Sequence, residues 1–140
     1  MAGIVLWVPM LEGDDDAAAA EQAGSWPEER VCQWWDGAKE LSRLFERSLG
    51  LHSPAWDVYL LYPPGVHWEG DVPPTPTFWM HQLSDPAATP NLLLSRDPSR
   101  LSRELDLLVH DSLYVEVQPL RCLDNQPSGR YRPLGCAGTR

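Results

Sequence analysis

Apolar positions recur at helical spacing over one long stretch, Ser25 to Leu49. There Val31, Trp34, Trp35, Ala38, Leu41, Phe45 and Leu49 fall at steps of three and four residues and predict one face of an amphipathic α-helix. Ser25 and Glu28 have the spacing of a capping box, Pro27 falls inside the first turn, and Gly50 supplies the stop. The opposite face carries Arg30, Asp36, Lys39, Glu40, Arg43, Glu46 and Arg47, with opposite charges a turn apart.

Elsewhere the pattern is shorter. Gly3 to Pro9 is continuously apolar and predicts a central strand. Residues 11–24, with Asp14, Asp15, Asp16 and an alanine run but no apolar period, predict an acidic loop holding at most a helical turn. Trp56 to Tyr62 and Thr77 to Leu83 predict two strands of an antiparallel hairpin joined by a proline-rich loop over 63–76. Leu92 to Leu94 suits either a short edge strand or the approach to a second helix. Asp97 and Pro98 start that helix, and Leu101, Leu105, Leu108 and Val109 line it as far as His110. Leu113 to Gln118 alternates as a last strand, and residues 119–140 form a Pro/Gly/Arg tail, either docked or flexible. The order strand, helix, strand, strand, helix, strand predicts a single α+β domain over 1–118. Its expected architecture is the ferredoxin-like split βαβ arrangement, a four-stranded antiparallel sheet with two helices on one face.

Strand alternation then assigns side chains to faces. Ile4, Leu6, Val8, Val58, Leu60, Phe78, Met80, Leu113, Val115 and Val117 would lie beneath the helices. The open face would carry Trp7, Asp57, Tyr59, Trp79, His81, Tyr114 and Glu116, large aromatics with polar tips, together with Val5, Leu61, Leu83 and Gln118. An apolar patch of that extent calls for a cover. The expectation is a non-catalytic accessory or protein-binding domain that uses this face for self-association, most simply as a homodimer, or for another subunit. The alternative is a small enzyme or small-molecule-binding domain with a pocket around His81, Asp57 and Glu116, where an imidazole can exchange protons near neutral pH.

Charge and composition narrow the classes. The 140 residues include 43% hydrophobic and 22% charged, ordinary for a globular chain, and 14 prolines and 10 glycines that imply much loop. A net charge of −9 disfavours nucleic acid and anionic membranes as partners. Arg121, Arg130, Arg132 and Arg140 nonetheless make the tail basic, which suits docking on an acidic body. The apolar opening is too short for a membrane span and lacks a basic flank for export, so a cytoplasmic location is expected. The odd number of cysteines agrees; if the chain is exported, Cys122 and Cys136 are the pair to bridge. No phosphate-binding loop, zinc-protease or nucleophile-elbow motif occurs, and the acidic triplet has poor spacing for a cation. No catalytic residue, metal or cofactor is assigned.

Overall fold

The computed structural model describes residues 3–28, 30–83, 92–111 and 132–136. The chain is α+β, with three α-helices and two small sheets among these residues. It divides into two compact units, Met1–Leu41 with Gln118–Arg140, and Ser42–Val117.

The first unit is built on a parallel pair. Strand β1 (Gly3–Trp7) is followed by helix α1 (Asp16–Ser25) and strand β2 (Val31–Trp35), with Gly3 beside Val31 and Trp7 beside Trp35. Strand β5 (Arg132–Cys136) lies antiparallel on the other side of β2, so the order is β1-β2-β5, and the register shifts between Gln33 and Trp34.

Helix α1 forms where the sequence predicts an acidic loop. Asp15 caps it, its carboxylate accepting from the Ala18 N–H at 2.8 Å, and the alanine run has the highest intrinsic helix propensity. It buries only Ala19 and Ala23, four residues apart, so no large apolar side chain marks its inner face. The tail contributes β5, where Arg132 pairs with Asp16 at 3.1 Å.

The long helix over Ser25 to Leu49 is not formed. Val31–Trp35 is a strand, and only Glu40–Leu49 is helical, as α2. Val, Cys and two Trp favour a pleated surface, and a strand covered on both faces reads as a run that mimics helical spacing. The break is Asp36-Gly37. Asp36 is fully buried and its two carboxylate oxygens accept from the N–H groups of Glu40 at 2.8 Å and Leu41 at 2.9 Å, which makes it the start signal of α2. At Gly37 a β-carbon would sit 2.7 Å from the Trp35 indole nitrogen, so any other residue would force the indole to shift.

The second unit holds the expected hairpin. Strands β3 (Val58–Leu61) and β4 (Phe78–His81) pair antiparallel, followed by a short 3₁₀ turn at Leu94–Arg96 and helix α3 (Arg100–Asp111). Leu93 makes an isolated parallel bridge to His81, which joins the two readings of Leu92 to Leu94: a strand contact on the approach to a helix. Leu51, Ala55 and Leu83 form the core, with Phe45, Leu49, Trp56, Val58 and Trp79 packed against them.

The four-stranded antiparallel sheet of a ferredoxin-like domain is therefore corrected to one mixed three-stranded sheet and one hairpin. The strand expected over 113–118 lies outside the described residues.

Candidate functional site

The hairpin register redistributes the residues expected on one open face. Val58 stands opposite His81, Tyr59 opposite Met80, Leu60 opposite Trp79 and Leu61 opposite Phe78. Directly opposed residues share a face, so Trp79 and His81 lie with Val58 and Leu60, whereas Tyr59 lies with Met80. The assignment from alternation alone was one residue out between the two strands, and such a slip exchanges the faces completely.

His81 is 2% exposed, its ring 5.4 Å from that of Trp79, and its Nδ1 accepts from the Leu83 N–H at 3.1 Å. Trp79 packs on the core of the second unit. Tyr59 is partly exposed, and its hydroxyl accepts from the Gln82 amide at 3.1 Å. Asp57 is exposed, takes a positive φ of 49°, and through its carbonyl accepts from the Gln82 N–H. Tyr59 therefore lies on the opposite face of the hairpin from His81. Trp7 belongs to the first unit, and Tyr114 and Glu116 lie outside the described residues.

The first unit carries the less expected geometry. The Gly3 N–H donates to the Arg30 carbonyl and the Asp36 N–H donates to the Trp7 carbonyl. Gly3, Val5 and Trp7 thus turn their backbone groups toward β2, and by alternation Ile4 and Leu6 turn theirs to the outer edge of β1. Among the described residues no strand pairs with that edge. Ile4 is 47% exposed, and no charged residue or proline interrupts Gly3–Trp7. The opposite margin of the sheet differs, because Pro133 in β5 has no N–H to offer a further strand. Sequence reasoning placed Ile4 and Leu6 in the core; the signal it passed over was a strand without a charge in it.

Behind β1, Gln33 ties the layers together. Its side-chain oxygen accepts from the Trp7 indole N–H at 3.0 Å, and its amide donates to the carbonyls of Ala23 and Trp26 at 3.1 Å, at the end of α1. A cleft of about 90 Å³ lies at the carboxyl ends of β1 and β2, walled by Trp7, Trp35, Asp14, Asp15 and the first turns of α1. The acidic triplet is committed to structure. Asp14 accepts from the N–H groups of Met10 and Leu11, Asp15 caps α1, and Asp16 pairs with Arg132. Among the described residues no group of three or more His, Cys, Asp or Glu side chains could hold a metal ion, and no helix is long and apolar enough to cross a membrane. No protein-family model, curated protein or solved structure matches the chain.

Proposed function

We propose that the protein is a non-catalytic binding module that associates with a second copy of itself through the outer edge of β1. The observation that carries this reading is the uncharged edge at Ile4 and Leu6, which no strand pairs with among the described residues, with Ile4 47% exposed. Such an edge is a template for strand addition, which most proteins blunt with lysine, proline or a covering loop.

Charge supports a copy of the same chain as the occupant. A protein of net charge −9 repels itself over most of its surface, but two β1 strands meet without bringing like charges together. Antiparallel pairing about a two-fold axis matches Ile4 and Leu6 with their counterparts, and joins two three-stranded sheets into one. Trp7, fixed by Gln33 and set beside Trp35, stiffens the strand that makes the contact.

Amide hydrogen exchange read at several protein concentrations tests this. Ile4 and Leu6 amides should be protected at high concentration and lose protection on dilution. Protection that does not change with concentration would mean that the edge is covered within one chain, and fast exchange throughout would mean that it is not used.

A further inference from the structure

The β2–β5 register places Cys32 directly opposite Cys136. We infer that these two residues form a reversible cross-strand disulfide that fastens β5 to β2. Opposed residues of an antiparallel pair occupy one face with Cα atoms about 4.5 to 5.5 Å apart, inside the roughly 4.4 to 6.8 Å span of natural disulfides. The pairing continues from Cys32 through Gln33 and Gly135 before the register shifts, so the cysteine pair sits on the regular part of the ladder. Cys32 is a half-buried free thiol. The strand it would fasten is otherwise held by its ladder, by packing on α1 and by the exposed Arg132–Asp16 pair, an interaction worth little at a surface. The expected partner of Cys136 from sequence, Cys122, is fourteen positions away in the chain, whereas Cys32 is its neighbour in the sheet.

The chemistry is thiol–disulfide exchange with a low-molecular-weight disulfide as oxidant. The thiolate of one cysteine attacks the small disulfide, forming a mixed disulfide and releasing one small thiol. The second protein thiolate then attacks the protein sulfur of that intermediate and releases the other. Two protein thiols are oxidised, one small disulfide is reduced, and the two protons end on the two small thiols. An excess of reductant runs the same steps backwards.

The three cysteines fall on three different tryptic peptides, 31–39, 122–130 and 131–140, the bond between Arg132 and Pro133 resisting cleavage, so the connection can be read without ambiguity. The folded full-length chain is treated with oxidised glutathione, alkylated and digested. Two of its three thiols should be lost to alkylation, with 31–39 and 131–140 recovered as one linked species within a single chain and 122–130 alkylated. Dithiothreitol should restore all three. In Cys136→Ser the bond should be absent and Cys32 should stop at the mixed disulfide, whereas Cys122→Ser should behave like the wild type. A bond to Cys122, a bond between chains, or a wild-type chain that retains three alkylatable thiols or stops at mixed disulfides would overturn the inference.

Discussion

Asp36 shows how a single side chain sets the boundary between two elements. Its carboxylate, fully buried, receives the N–H groups of Glu40 and Leu41, while its own carbonyl accepts from the N–H of Lys39, which sits at a positive φ of 58°. Replacing it with Ala would orphan two donors at the start of α2. Asp36→Ala should cost about 2 kcal/mol or more in urea unfolding, and Asp36→Asn, which keeps one acceptor, should cost less. Tyr62 offers a test by pH. Its hydroxyl donates to the Pro74 carbonyl at 2.9 Å across the proline-rich loop, and burial pushes its pKa up to about 12. A raised pKa on a group that ionises to an anion means that the fold favours the neutral form. Its contribution is complete below the ordinary tyrosine value near 10 and is lost as pH climbs toward about 12. Ultraviolet titration of phenolate should show one tyrosine ionising late, and Tyr62→Phe should remove that component.

At the scale of elements, the hairpin was legible and the first helix was not, for reasons that lie in particular residues. Val58–Leu61 and Phe78–His81 are rich in branched and aromatic residues and are bounded by prolines, so both strands and their pairing could be read directly. Their relative register could not, because it is fixed by contacts across the pair and not by either strand alone. Val31–Trp35 misled because a strand with apolar side chains on both faces leaves the same three- and four-residue steps as a helix, and the sequence reading passed over Asp36-Gly37 as a turn. Helix α1 was missed because it packs through Ala19 and Ala23, which carry no amphipathic signature. The register makes mutational predictions that differ from those of a single open face. Met80, fully buried, should cost about 2 to 5 kcal/mol on replacement by Ala. Trp79→Ala should also destabilise, by about 3 to 5 kcal/mol, because Trp79 packs on the core. Tyr59→Ala, at a partly exposed position, should cost less than about 1 kcal/mol. Urea denaturation of the three variants separates them.

For the molecule as a whole, the candidate site was legible only in kind. Alternation and composition led to the expectation of an apolar surface in need of a cover on a strongly acidic chain; in the structure His81 is buried and Trp79 packs on the core of the second unit, and the exposed Ile4 lies on β1. Which margin of a sheet is left open depends on strand order, and the parallel pairing of β1 with β2 and the return of β5 over residues 132–136 leave no local mark in sequence. The consequence is a prediction about mass. Ile4→Lys would put a charge into the apolar contact between two edge strands, at a site that is 47% exposed and so tolerant of a polar side chain in the monomer. It should weaken association at least about tenfold, equivalent to ~1.4 kcal/mol, while circular dichroism stays that of the wild type. The most direct test is sedimentation equilibrium of the full-length wild type beside Ile4→Lys. Reversible association to twice the chain mass in the wild type, shifted to higher concentration in the folded variant, is the predicted result. A wild type that remains at 15.8 kDa at every concentration, or a variant that associates as readily, would contradict it.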